Sequence, residues 1–171
     1  MKFFFLLILL LFFRWSLAQS NNQSVLLTNG YNRIGFYIEP AFRFNINNHR
    51  GKMGLRYYTF DNFFEKNTLG LSVAYDYKFE GKNDRTFFYT GISGAFFKEN
   101  KTSAQVYLSE IMLTNGVGFK FFNRFSFFYQ LGLGVAINKS ILITVGETTS
   151  NQYYNYEMAL GLAYHFKHQS K

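Results

Sequence analysis

Residues 153–166 alternate with a period of two. Tyr154, Tyr156, Met158, Leu160, Leu162, Tyr164 and Phe166 form one set, bulky and apolar, with tyrosines toward one end. Tyr153, Asn155, Glu157, Ala159, Gly161, Ala163 and His165 form the other, small or polar. Side chains alternate across a strand, so this segment has one apolar face and one wet or tightly packed face. It is longer than an ordinary strand of about 5–6 residues. It suits a tilted crossing of a bilayer, for which about 9–11 residues suffice.

The pattern recurs along the chain. In residues 33–46, Ile34, Phe36, Ile38, Pro40, Phe42, Phe44 and Ile46 oppose Gly35, Tyr37, Glu39, Ala41, Arg43 and Asn45. Pro40 removes a ladder donor, which predicts a bulge or local break there. Residues 53–60 set Met53, Leu55 and Tyr57 against Gly54, Arg56 and Tyr58. Residues 68–80 set Leu69, Leu71, Val73, Tyr75, Tyr77 and Phe79 against Gly70, Ser72, Ala74, Asp76, Lys78 and Glu80. Residues 104–121 carry Ile111, Leu113, Val117 and Phe119 opposite Glu110, Met112, Thr114, Gly116, Gly118 and Lys120. After a tight reversal at Asn123-Arg124, Leu131, Leu133, Val135 and Ile137 oppose Gln130, Gly132, Gly134, Ala136 and Asn138. Residues 86–98 also read as a strand, but adjacent phenylalanines (Phe87-Phe88, Phe96-Phe97) blur its faces and fit aromatic belts at a membrane edge. Residues 24–28 are a short β-like run, and Asn29-Gly30 after it reads as a tight-turn pair. Turns or loops are expected at 47–51, 61–67, 81–85 and 99–103, and residues 139–150 read either as a long loop or as the preceding strand continuing over 141–145 into a loop. Eight strands are favoured. A second way to reach eight drops 24–28 and counts 141–145 separately. No helical period appears in the mature chain.

Composition agrees. The 171 residues include 23 Phe and 13 Tyr but one Pro, and aromatics suit pleated surfaces. With no Cys there is neither a disulfide framework nor a thiolate metal site. Residues 1–18 read as a cleaved signal peptide: Lys2, an apolar run over 3–13, and Ser16-Leu17-Ala18 before Gln19. That run is too short for a spanning helix, which needs about 20 residues. Residues 19–171 are then a single domain. Losing Lys2 and Arg14 leaves 16 basic against 10 acidic residues, a charge of +6. The basic residues are scattered rather than clustered, which argues against nucleic acid as a partner.

Two architectures use such strands. A secreted soluble barrel, lipocalin-like and binding an apolar ligand, turns the apolar face inward. A transmembrane barrel reverses this. Three features favour the transmembrane form. The non-apolar face is rich in small residues (Gly70, Ser72, Ala74; Gly132, Gly134, Ala136), which suit a crowded narrow lumen. Its charges have both signs and are placed to pair across the lumen: Glu39, Arg43, Arg56, Asp76, Lys78, Glu110, Lys120 and Glu157. Aromatics gather near strand ends, as at membrane interfaces.

Three stretches carry a resemblance. Gly35-Phe36-Tyr37-Ile38-Glu39-Pro40 is the first. Asn115-Gly116-Val117-Gly118-Phe119-Lys120-Phe121-Phe122-Asn123-Arg124-Phe125 is the second, and Gly161-Leu162-Ala163-Tyr164-His165-Phe166 is the third. Together they resemble the small outer membrane protein β-barrel domain family of Gram-negative bacteria, Bacteroidetes-type, with OmpA-like and porin-like eight-stranded barrels. The resemblance runs over most of residues 31–166. It implies an all-β, eight-stranded antiparallel up-and-down transmembrane barrel in the outer membrane, contacting its lipid. The last strand also looks like the terminal signal read by the barrel assembly machinery, which would be a partner in biogenesis: Gly161, Tyr164 and Phe166 match, and Ala159 stands where a polar residue is usual. If the Asn123-Arg124 hairpin is periplasmic, so are the turns at 47–51 and 81–85, and the loops at 61–67, 99–103 and 139–150 face outside.

Signals for chemistry are sparse. His49, His165 and His168 show no metal-ligand spacing. His168-Gln169-Ser170 superficially resembles the His-x-Ser of a lipid A deacylase, but in a terminal tail. Gly116-x-Gly118 and Gly132-x-Gly134 precede no helix, so they are not phosphate loops; they read as small residues under large neighbours. No cofactor and no enzymatic activity are expected. An eight-stranded barrel is narrow and filled by side chains, so the expected role is structural or one of surface interaction. The alternative is a narrow gated channel with porin-like transport.

Overall fold

The computed structural model describes residues 22–61, 68–80, 85–122, 124–143 and 145–166. The expected signal peptide and basic tail lie outside these residues, as do nearly all of the 61–67 loop and most of the 81–85 turn. Eight strands follow one another: β1 (Asn22–Asn32), β2 (Gly35–Ile46), β3 (His49–Asp61), β4 (Thr68–Glu80), β5 (Thr86–Asn100), β6 (Ala104–Phe122), β7 (Phe125–Leu142) and β8 (Thr148–His165). Each pairs antiparallel with its sequence neighbours, and β1 pairs with β8 to close the barrel. Closure pairs residues 157–165 of β8 with β1, while residues 148–156 run on past β1 toward the distal end, laddered to β7. With eight strands, residues 22 and 166 lie at the same end, called here the terminal end. The β2–β3, β4–β5 and β6–β7 connections share it; the other four connections form the distal end.

Several boundaries differ from the sequence reading. The first strand runs over β1 rather than 24–28, and Asn29-Gly30 lies inside it, paired with Ile38-Tyr37 on one side and Leu160-Ala159 on the other. The turn comes at Arg33-Ile34. It is built by Asn32, whose Oδ1 accepts hydrogen bonds from the backbone N–H groups of Ile34 (2.9 Å) and Gly35 (3.1 Å). Such local bonding by Asn makes a turn without glycine. The β2–β3 turn is shorter than 47–51: only Asn47 and Asn48 lie outside the strands, with Asn47 at a positive φ. Residues 139–142 finish β7, so the preceding strand continues into this stretch, though only to Leu142, and no separate strand starts at 141; β8 begins five residues earlier than expected. The β2–β3 ladder skips Glu39 and Pro40 without losing register, while the true register shift lies between Phe36 and Tyr37. Neither phenylalanine doublet is an outward belt, because alternation sends Phe88 and Phe96 outward while Phe87 and Phe97 are buried.

The apolar face is outside. Leu69, Leu71, Val73, Leu113 and Leu133 are all more than half exposed, whereas Ser72, Asp76, Glu110 and Thr114 are buried. In β6 the polarity inverts partway along. Near the distal end Ala104, Val106 and Leu108 point inward and Gln105, Tyr107 and Ser109 outward. From residue 110 on, Glu110 and Thr114 point inward and Ile111 and Leu113 outward. The outward series on β8 runs Thr148, Ser150, Gln152, then Tyr154 and Tyr156, then Met158, Leu160 and Leu162, then Tyr164 and Phe166. At about 3.3 Å per residue, the stretch 156–164 is about 26 Å long along the strand. At the strand tilt of about 35–45° it rises about 20 Å, close to the apolar band of about 25 Å, flanked by aromatic girdles, of transmembrane barrels.

Inside, two apolar clusters sit at different heights. Ile34, Tyr37, Tyr58, Phe97, Val106 and Leu108 belong to the distal one; Leu26, Ala41, Phe87, Tyr89, Phe128 and Ala163 form the other. Inward aromatic rings also lie over glycines directly opposite them on the next strand: Tyr37 over Gly30, Phe97 over Gly70, Phe87 over Gly118, Tyr89 over Gly116 and Phe128 over Gly161, and on the outward face Phe44 lies over Gly51 in the same way. A Cβ on any of these glycines would lie 2.0–2.2 Å from a ring atom. The reading of Gly116 and Gly118 as small residues under large neighbours is thus borne out. Gly132 and Gly134 instead make room for Glu157 and Met112 and for the backbone of Ile111.

Candidate functional site

Between the two apolar clusters lies a charged network, placed by alternation on four strands. On β2, Glu39 stands between Tyr37 of the distal cluster and Ala41 of the other. Arg56 and Lys52 face it from β3, and Glu110 and Glu157 from β6 and β8. All five are buried.

Arg56 is the hub. Its Nε donates to Glu39 Oε2 at 2.7 Å, and its Nη1 donates to Glu110 Oε2 at 3.1 Å. Glu157 Oε2 lies 3.0 Å from the same nitrogen without hydrogen-bond geometry. The guanidinium also stacks 4.0 Å from the Tyr37 ring centre. Lys52 Nζ donates to the other oxygen of Glu39 at 2.5 Å. Three carboxylates thus face two cations, and neutral donors complete the set. Tyr58 donates its hydroxyl to Glu110 Oε1 at 2.8 Å. Asn32 Nδ2 donates to Tyr58 Oη at 2.6 Å and to Glu110 Oε2 at 3.3 Å. Gln130 Nε2 donates to Glu157 Oε1 at 2.6 Å. Asn32 therefore builds the β1–β2 turn with its oxygen and joins the network with its nitrogen. Buried ions are tolerated only when paired and hydrogen-bonded in this way.

A second group lies nearer the terminal end. Arg50 Nη2 meets Asp76 Oδ2 at 3.4 Å, and the guanidinium lies over the rings of Tyr89 and Phe87, at 4.3 and 5.3 Å. Arg43 lies 5.3 Å over Phe128, and Lys78 Nζ is 5.5 Å over Phe87. Here cations outnumber carboxylates and rest on aromatic faces, an arrangement the ring quadrupole favours.

Of the eight lumen residues expected from the sequence, Glu39, Arg56, Glu110 and Glu157 join the central network. Arg43 and Asp76 are buried in the second group. Lys78 is half-buried beside it. Lys120 is exposed near the β6–β7 turn and belongs to neither. The sequence reading missed Arg50 and Lys52, because the strand was started at Met53. Continuing the Gly54, Arg56, Tyr58 parity backward would have found both. It also passed over Asn32, Tyr58 and Gln130, whose roles depend on cross-barrel contacts that no local pattern encodes. In the proposed assembly signal, Gly161 lies under Phe128. Tyr164 faces outward, with its ring centre 5.2 Å from Phe125 and 5.3 Å from Phe166. Among the described residues no His, Asp or Glu cluster of metal-binding geometry occurs.

No family model matches the sequence, and no curated protein matches it. Solved structures do. The N-terminal β-barrel domain of Pseudomonas aeruginosa OprF superposes with a TM-score of 0.54 at 8% identity, covering 86% of this chain and 98% of that one. Neisserial surface protein A gives 0.50 at 13% identity, covering 85% and 95%. A major outer membrane protein from Thermus thermophilus gives 0.50 at 15% identity, covering 85% and 99%. The resemblance to the Bacteroidetes-type group rests on its sequence motifs, while the likeness to these structures is one of fold. The chain folds as an eight-stranded antiparallel β-barrel of the kind found in outer membrane proteins.

Proposed function

We propose that the mature chain is an integral outer membrane protein of a Gram-negative cell, exported by the signal peptide at 1–18, with a structural or surface-interaction role and no open pore. The observation that carries this reading is the polarity inversion within β6. A soluble barrel keeps its apolar face inside along the whole strand. Here that arrangement holds only over residues 104–109, where the wall would stand clear of lipid, and it reverses beyond them. Water does not reward exposing Ile111, Leu113 and their neighbours around the barrel; lipid does. A lipocalin-like carrier would need an apolar cavity where this barrel has a charged network.

The filled interior supports a role other than free diffusion. Tyr58, Phe97 and Leu108 close the lumen on the distal side of the network with no exposed surface. The distal connections would face outside and offer the contact surface, with the barrel assembly machinery as the partner in biogenesis. The buried charges favour one second reading, a narrow channel that gates by rearranging the network.

The test is a gel-shift of mature protein refolded in detergent, unheated against boiled, followed by planar-bilayer recording. A heat-dependent shift with no steady conductance is expected. Solubility without detergent and no shift would refute the membrane reading. Conductance lost in Glu39→Ala would replace the structural role with the channel.

A further inference from the structure

The outward face carries a groove of about 520 Å³ across the β8–β1–β2 seam, lined among others by Tyr31, Phe36, Ile38, Met158 and Leu160. Asn29 of β1 and Thr59 of β3 bring polar groups to its lining. Alternation places Asn29 outward and exposed, between Ile38 on β2 and Leu160 on β8. Leu160 is midway between Tyr156 and Tyr164 in the outward series of β8, so Asn29 sits in the middle of the apolar belt. Its amide makes no hydrogen bond among the described residues. Hydrocarbon offers such a group neither donor nor acceptor.

We infer that the Asn29 groove is where a second copy of this chain docks. The inference rests on the membrane reading above. Two copies inserted in the same direction are related by a two-fold axis along the membrane normal, the commonest oligomer symmetry. Such an axis preserves depth, so a residue near it meets its own counterpart. What stands there must therefore be self-complementary. A primary amide is, since it has both donors and an acceptor, and two facing Asn29 side chains satisfy each other. Lipid tails fill the groove but leave the amide unpaired. Asn115, likewise outward in the belt and directly opposite Thr90 on β5, lies on a part of the wall away from this groove, which makes it a natural control for what the groove itself contributes.

The chain has no cysteine, so single-cysteine variants report contacts without background. Asn29→Cys and Asn115→Cys are refolded into lipid vesicles and oxidised, and the heat-dependent gel-shift is checked on the same samples. Expected is a disulfide-linked dimer for Asn29→Cys and at least ten-fold less for Asn115→Cys. In the protein without cysteine, Asn29→Leu is expected to weaken dimerisation about three- to thirty-fold, the range for hydrogen bonds between membrane-spanning segments. A normal gel-shift with no Asn29→Cys dimer overturns the inference and leaves the membrane reading intact. Equal linking at both sites, or an Asn29→Leu variant that dimerises as well as the parent, also overturns it. Loss of the gel-shift in the parent protein removes the membrane reading and the inference together.

Discussion

Replacing Arg56 with Met should be the most damaging single change in the lumen. Arg56 contacts Glu39, Glu110 and Glu157 at 2.7, 3.1 and 3.0 Å. At an effective dielectric of about 20, each unit-charge contact near 4 Å contributes about 4 kcal/mol of attraction, so the gross loss is on the order of 12 kcal/mol. Most of that is offset by the guanidinium no longer being desolvated, a cost of several kcal/mol. What remains is three buried carboxylates facing Lys52 alone. Breaking one buried pair costs about 3–5 kcal/mol, and the upper end applies here. Against a total stability of about 5–15 kcal/mol this is a third or more. The assay is the folded fraction on unheated gels, measured across a urea series in detergent micelles. Arg56→Met with Glu110→Gln and Glu157→Gln should recover most of the loss, because Glu39 keeps Lys52. Arg56→Lys should fall between, since a single ammonium cannot reproduce the planar fork. A loss under about 1 kcal/mol for Arg56→Met, or a triple variant less stable than the single one, would refute this account of the network.

Two further outcomes are expected. Gly70→Val puts a Cβ 2.2 Å from the Phe97 ring and 2.6 Å from the Phe96 carbonyl oxygen, which should cost about 1–3 kcal/mol; in the same urea series, Phe97→Ala should cost less in that background than in the parent, because the two changes act on one contact. Leu113→Arg places a charge on the outward belt and should cost about 2–4 kcal/mol in lipid, read as a lower yield of the heat-shifted form in vesicles; no loss there would mean that this face does not meet hydrocarbon.

How much was legible in the sequence follows from what a period of two can encode. Faces, and hence the inward placement of Glu39, Arg56, Glu110 and Glu157, depend only on parity and were readable. Strand ends depend on turn chemistry. Asn29-Gly30 has the residues of a hairpin turn but is held in β1 by pairing on both sides, and Gly30 is needed because the Tyr37 ring lies over it. The true turn uses the Asn32 side chain, a weaker signal next to Arg33 and Ile34. The phenylalanine doublets misled because two adjacent bulky residues satisfy either parity. Only the neighbours decide, with Gly118 and Gly70 making room inside for Phe87 and Phe97. Which carboxylate meets which cation depends on strands brought together by closure, so the network's hub was hidden though its members were not.

The glycine–aromatic pairs bear on how the chain finds its register. Eight strands with the same alternation are nearly interchangeable. A slip of one residue is prevented, since it turns every apolar side chain inward. A slip of two keeps every face correct, and neither hydrophobicity nor backbone bonding opposes it strongly. The pairs do oppose it. Moving β5 two residues along β6 in one direction sets Phe87 against Lys120; in the other it sets Tyr89 against Thr114. Either way one ring meets a side chain where it needs bare backbone, and one glycine loses the ring that covers it. Such pairs lie on five of the eight strand seams. They work as keys cut for one alignment, so a chain with so repetitive a pattern still has one way to zip closed.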